Sequence, residues 1–229
     1  MTFQLMLAPM ERVTDAKFRT LCHQNGADLT FTENARVANL ARGKRGELGS
    51  ITLVDSTPTQ IQLAGAKLAD YSKFLAKFTP SFGFRGFNLN LGCSAPFYLQ
   101  QGIGAAMVKR VTRTKDIAKL ITDAGFECSV KLRLGETEYE KTRFAYLNLI
   151  QNVEASFFVV HARTGMQTLK DKADSLVYGK CVEIGKKIVA NGDISTKEQV
   201  LSLKERGLYG AMIGRAARVN PKIFQELKV

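Results

Sequence analysis

The chain has 229 residues, with 33 Lys and Arg against 21 Asp and Glu, a net charge of +12. That length supports one substantial core and one or two domains, and the composition is that of an ordinary globular protein. No apolar run approaches the roughly 20 residues of a membrane helix, and no signal-peptide pattern opens the chain, so a cytoplasmic protein away from membranes is expected.

In chain order, short apolar runs alternate with longer amphipathic ones. A strand over residues 3–8 leads to Pro9-Met10, and Thr14-Asp15 can cap a helix over 15–24. A strand over 28–32 is followed by the polar, glycine-rich segment 42–53, read as a long loop. Strand 60–64 precedes helix 66–78, and strand 86–91 delivers Cys93 into a loop that closes on Gly102 and Gly104. Helix 112–124, strand 128–133, helix 138–152, strand 156–161, helix 176–187 and strand 188–190 follow. Helix 196–206, capped by Ser195-Thr196 with Glu198 in its first turn, strand 210–213 and helix 220–227 complete the chain. Eight strands alternating with helices predict parallel strands joined by right-handed crossovers, an α/β (β/α)8 TIM barrel. The rival open doubly wound sheet lacks its glycine fingerprint, since Ala8-Pro9-Met10-Glu11 follows the first strand.

Barrels keep their chemistry at the carboxyl ends of the strands. Those ends carry Pro9 and Met10, Thr32-Glu33-Asn34, Gln62, then Asn88, Asn90 and Cys93, then Lys131 and Arg133, then His161 and Arg163, then Asn191-Gly192-Asp193, and last Gly214-Arg215. A lone His or Cys is commonly structural, but Lys, His and several amides at equivalent heights point to a site. The last two loops suit a phosphate on backbone N–H groups, with Arg215 as a fixed cation. A phosphate on one side, Lys131 in the middle and Gln62 and Asn90 opposite fit a flat phosphorylated cofactor such as FMN. A phosphosugar substrate stays open on residues alone. The four cysteines are scattered with no CxxC pair, which predicts reduced thiols and no metal site. The positive charge lies in separate clusters, Lys44-Arg45, Lys109-Arg110 with Arg113 and Lys115, and Lys186-Lys187, and favours a polyanionic partner such as nucleic acid.

An ordered series of motifs carries a resemblance along nearly the whole chain. They are LAPMERVTDAKFR (7–19), QLAG (62–65), NLNLGCS (88–94), VKLRLG (130–135), HARTGMQ (161–167), VANGDI (189–194) and MIGRAARVNPKIF (212–224). In this series the chain resembles the tRNA-dihydrouridine synthase family. The resemblance implies an FMN-dependent barrel that uses NADPH to reduce the 5,6 double bond of uridine in tRNA. It implies Pro9 and Met10 under the flavin ring, and Gln62, Lys131 and His161 contacting the ring or its chain. Asn191, Gly192, Asp193, Gly214 and Arg215 would bind the phosphate region. Asn90 would position the uracil, Cys93 would be the general acid for carbon 5, and Arg163 and Gln167 would orient the flipped-out nucleotide. A thiol held away from fixed cations would stay protonated until needed.

The chain also departs from the family's pattern. Ser94 follows Cys93 where proline is usual, Phe97-Tyr98 stand where the loop often carries basic residues, Gly165 replaces a common arginine, and Asn88 replaces a usual aspartate. The chain is read as one FMN-binding barrel over residues 1–229, without the family's separate C-terminal helical domain. RNA would then be held by the barrel face, with Arg36, Arg42, Lys44, Arg45, Lys109 and Arg110 as candidates, or by a partner protein replacing that domain. The alternatives are an FMN-dependent reductase of a small enone or pyrimidine, a non-catalytic RNA-binding barrel, and a phosphosugar aldolase using Lys131.

Overall fold

The computed structural model describes residues 2–229. Nine strands form one sheet: β1 (Gln4–Leu7), β2 (Thr30–Phe31), β3 (Ala35–Arg36), β4 (Thr59–Ala64), β5 (Phe84–Leu91), β6 (Cys128–Arg133), β7 (Phe158–His161), β8 (Ile188–Asn191) and β9 (Gly210–Ile213). Every ladder is parallel, in the order β1-β9-β8-β7-β6-β5-β4-β2, with β3 also on β4. Leu7 N donates to Leu29 O at 2.9 Å and Asp28 N to Leu5 O at 2.8 Å, so β1 and β2 close the sheet into the (β/α)8 barrel that the alternation predicts.

β2 and β3 are two halves of one barrel position. Thr30 pairs with Thr59, and Ala35 with Leu63, while Thr32-Glu33-Asn34 bulge between them. Thr32 Oγ1 accepts from Gln62 N at 3.0 Å, so a hydroxyl replaces a main-chain carbonyl across the gap. β3 has only two residues and no alternation to read, which is why the sequence pattern ends this strand at residue 32.

Helix ends follow their sequence signals. Asp15 caps Ala16–Gln24 by accepting from Phe18 N at 2.8 Å. Thr196 caps Lys197–Glu205 in a capping box completed by Gln199 rather than by Glu198. Two expectations change. The helix expected over 138–152 divides into Glu138–Thr142 and Ala145–Asn152, because Phe144 adopts the left-handed region at φ 54°. The loop expected over 42–53 contains a helix, Arg45–Ser50, whose Glu47 accepts from Arg36 N and from Asn39 Nδ2, fastening β3.

Strand alternation sorts the core. Leu5, Leu7, Ile61, Leu63, Phe87, Leu89, Val130 and Leu132 face the helices. The inside of the barrel is divided. Met6, Ala8, Phe31, Val159, Val189 and Met212 fill one half with apolar groups. Gln60, Gln62, Asn88 and Ser129, all buried, fill the other. Burying amides costs free energy unless each is paired. They pair with one another: Ser129 Oγ donates to Gln60 Oε1 at 2.5 Å, Asn88 Nδ2 to Ser129 Oγ at 2.7 Å, and Gln62 Nε2 to Asn88 Oδ1 at 2.8 Å.

Candidate active site

A cleft of about 760 Å³ opens where β1, β6, β7, β8 and β9 end. That is the size of a cofactor or substrate pocket. Its apolar base is Ala8, Pro9, Met10 and Met212. Thr14 fixes the turn at Pro9-Met10, its Oγ1 accepting from Met10 N and donating to Met10 O, each at 3.1 Å. Lys131, His161, Arg163, Asn191, Gly192, Asp193, Gly214 and Arg215 complete most of the lining.

The register explains this convergence. Asn90 is level with Lys131, and Arg133, His161 and Asn191 are level with one another one step higher. Lys131 Nζ donates to no acceptor among the described residues. Burial, with Arg133 adding to it, lowers its pKa to about 8. Burial likewise lowers His161 to about 2, helped by the charges of Lys131, Arg133, Arg163 and Arg215. His161 is therefore neutral, and its Nε2, 3.2 Å from Arg163 Nη1, accepts while Nδ1 carries the proton.

Arg163 is 1% exposed. Its Nε donates to Asp171 O at 2.7 Å and its Nη2 to Asp193 Oδ2 at 2.5 Å. Asp193 also accepts from Arg215 and from Ala173 N. Burial pushes the Asp193 carboxyl up, but the hydrogen bond from Arg163, that from Ala173 N and the two guanidinium charges outweigh it, so its pKa falls. The lining thus sets Lys131, Arg163 and Arg215 against one carboxylate, Asp193. The N–H groups of Gly192 and Gly214 have no protein acceptor among the described residues. Gly192 lies at φ +124°, and a Cβ there would come within 3.0 Å of Ala173 Cβ and 3.2 Å of His161 Cδ2. An uncompensated cationic lining, free amides and an apolar base fit a planar ring that carries a phosphate.

Cys93, Asn90 and Gln62 stand beside this cleft rather than in its lining. Asn90 Nδ2 donates to Gln62 Oε1 at 3.2 Å, and Asn90 Oδ1 accepts from the N–H groups of Gly92 and Cys93, each at 2.9 Å. The amides inside the barrel therefore end on the backbone of Cys93. The loop is closed by Ala105 N donating to Cys93 O at 2.9 Å. Gly104, at φ +64°, permits this closure: a Cβ there would lie 2.3 Å from Cys93 O. Cys93 is half-buried and unpaired. It does not stand away from cations as expected, since Lys131 and Arg133 are near enough for its charge to act on both. Gln167 also lies outside the cleft. Its Oε1 accepts from Thr164 N at 2.7 Å, and its carbonyl accepts from Arg133 Nη1 at 3.1 Å, so it shapes the loop after β7.

Several site residues carry weak sequence signals. Arg133 braces that loop through Thr164 O and Gln167 O, and its spacing of two from Lys131 is the sign that they share a face. Asn34 Nδ2 donates to Tyr98 OH at 2.7 Å, and the Arg36 guanidinium lies 5.5 Å from the centroid of the Phe97 ring. These contacts join β3 to the Cys93 loop, and no local pattern announces a pairing 64 residues apart. Of the surface cations, Lys109 pairs with Glu136 and Glu140, and Arg36 with Glu47.

Fold and site together define a (β/α)8 barrel with a cationic cleft at the ends of β8 and β9. Solved structures agree on the fold alone. The tryptophan synthase A-subunit from Pyrococcus furiosus superposes with a TM-score of 0.54 at 12% identity, covering 99% of this chain and 94% of that one. N-(5'-phosphoribosyl)anthranilate isomerase from the same organism gives 0.54 at 11%, covering 98% and 96%. The model of the dihydrouridine synthase (Dus) family matches residues 6–229. A probable tRNA-dihydrouridine synthase from Aquifex aeolicus is 31% identical over 98% of this chain and 72% of its own length. The tRNA-dihydrouridine synthase B of Pseudomonas putida is 28% identical over 98% and 67%. The chain belongs to the dihydrouridine synthase family, and is accordingly a flavin-dependent oxidoreductase.

Proposed function

We propose that the protein reduces the 5,6 double bond of a uridine in tRNA to dihydrouridine, with FMN in the cleft and NADPH as the reductant. The observation that carries this reading is the cleft lining of three cations against one carboxylate, next to a half-buried thiol on the neighbouring wall. A reduced flavin there would supply the hydride equivalent for carbon 6 of the uracil.

The chain's own residues account for the rest. Pro9, Met10 and Met212 present an apolar surface to a ring. Arg215 and the free N–H groups of Gly192 and Gly214 hold a phosphate, while Arg163 and Asp193 keep that corner rigid. Lys131 has no partner of its own and offers its charge to the ring's polar edge. His161 stays neutral and donates from Nδ1. Addition at carbon 6 leaves an electron pair on carbon 5, and the Cys93 thiol gives its proton there, becoming a thiolate that solvent reprotonates. Asn90 fixes the Cys93 backbone and keeps one Nδ2 hydrogen for a uracil carbonyl. The net charge of +12 attracts the polyanion, and the base must leave its stack to reach the cleft.

Two measurements test this. The visible spectrum of purified protein, with the released chromophore identified by chromatography, should report FMN. Unmodified tRNA transcripts with NADPH should then gain dihydrouridine by nucleoside mass spectrometry. Reduction of free uracil but not of RNA would replace the tRNA reading with a small pyrimidine.

A further inference from the structure

We propose that Phe97 is a stacking platform for a nucleobase that flanks the uridine to be reduced, with the Arg36 guanidinium backing the ring. The inference rests on the uridine reading above and gives the RNA a contact outside the cleft.

The segment after Cys93, from Ser94 to Gln101, carries no basic residue, so it meets a polyanion with no charge of its own. It does carry an aromatic ring in the open: Phe97 is 49% exposed. A single exposed apolar group is ordinary. This one has a neighbour that suits a nucleotide. The Arg36 guanidinium lies 5.5 Å from the ring centroid, inside cation–π range. Its approach to Glu47, at 3.6 Å, is too long for a hydrogen bond, and Arg36 binds that carboxylate through its main-chain N–H instead. The guanidinium therefore keeps its donors. A half-exposed ring beside such a cation is the pairing that holds single-stranded RNA, the ring taking a base face and the cation the charge next to it.

The platform is rigid and close to the reacting centre. Phe97 sits on the short helix Pro96–Gln100. Ile103 N donates to Tyr98 O at 3.0 Å, and Asn34 hydrogen-bonds Tyr98 OH at 2.7 Å. The Phe97 and Tyr98 rings meet edge to face, with centroids 5.8 Å apart. Burial raises the Tyr98 pKa, the charge of Cys93 raises it further and that of Arg36 lowers it, so both groups lie within reach of this ring. The four residues from Cys93 to Phe97 span at most about 14 Å. The base that Phe97 meets is thus within a few nucleotides of the one whose carbon 5 faces Cys93. A flipped-out uridine leaves its neighbour with a bare face, and the Phe97 ring replaces the lost stack. Every base has such a face, so the contact adds affinity without reading sequence.

The test uses the full chain loaded with flavin, and a transcript in which the wild type's target uridine has been located. The chain contains no tryptophan, so Phe97→Trp installs a single indole on the platform. Its emission should be quenched on titration with the transcript. Among copies carrying an abasic site at each flanking nucleotide in turn, one should leave the emission unquenched. Phe97→Ala should raise KM about 5- to 150-fold, with kcat and flavin content little changed. The loss should be the same at every salt concentration, because no phosphate contact is removed. Phe97→Leu should lose as much as Phe97→Ala, while Phe97→Trp should keep the wild-type KM. On the abasic transcript so identified the wild type should fall to the level of Phe97→Ala, and Phe97→Ala should fall no further. A wild-type KM in Phe97→Leu would overturn the proposal, since apolar contact without a ring would then suffice. Unquenched emission with a transcript that Phe97→Trp still reduces would overturn it too, leave the ring to a protein partner, and keep the uridine reading intact. Failure of the wild type to reduce any uridine would overturn both.

Discussion

Arg163, 1% exposed, meets Asp193 at 2.5 Å, and Asp193 bridges it to Arg215 at the cleft surface. A buried guanidinium is tolerable only while a carboxylate faces it. Asp193→Asn, which keeps a residue type that tolerates φ 56°, isolates the loss of charge. It should destabilise the fold by roughly 3 kcal/mol in urea unfolding and weaken flavin retention. An unchanged midpoint would show that Arg163 does not need its partner.

Cys93→Ala should leave flavin content intact and cut dihydrouridine formation at least ~100-fold, the usual worth of a positioned proton donor. Single-turnover product formation is the measurement, and product at the wild-type rate would remove the thiol from the mechanism.

Lys131 ionises at about 8 in the fold against about 10.4 in an unfolded chain. The folded state thus binds its proton more weakly, and the charged side chain destabilises the fold fully below pH 8. That strain disappears as pH rises through 8 towards 10.5. Lys131→Met should therefore raise stability of the flavin-free protein at pH 7 by on the order of 2 kcal/mol. The advantage should shrink across that window, while flavin binding weakens at every pH.

His161 gives the acid side. Its pKa of about 2 in the fold lies below the unfolded value near 6.5. The unfolded chain gains a proton first, so stability is held above pH 6.5 and lost as pH falls below it. The loss is about 1.4 kcal/mol per unit for this one group. His161→Gln should flatten that limb between pH 6.5 and 5 in denaturant titrations; an unaltered slope would assign the limb to other groups.

Gly192→Ala places a methyl against Ala173 and His161 at a φ of +124°. It should cost about 1–3 kcal/mol and reduce flavin affinity more than it reduces melting temperature. Equal affinity would move the phosphate away from this turn.

The barrel was legible in the sequence because its strands are short apolar runs in strict alternation with amphipathic helices. Seven of the eight barrel positions read directly, and the eighth reads only in half. β3 is two residues long and is held by Glu47 from a helix whose glycines and charges look like loop. The cleft residues were legible at strand ends, since Lys131, His161 and Asn191 have no business in an apolar core. What sequence could not reveal is partnership. The family resemblance assigns Arg163 to the flipped-out nucleotide, and its contact with Asp193, 30 residues on, follows from no local pattern. Asn34 and Tyr98 meet across 64 residues by no local rule.

The division of the barrel interior also sets how the protein can change. Its apolar half, from Met6 to Met212, is a packing problem with many solutions, since volume-conserving swaps are cheap. The amide half is a directional circuit, in which each donor has one acceptor and the last acceptor orients Cys93. Within the apolar half, Ala8 and Met212 also line the cleft, so only drift among the others leaves the lining alone. A replacement at Gln60, at the far end of the other half, removes the acceptor of Ser129 Oγ, the first link of the series that ends on the Cys93 N–H.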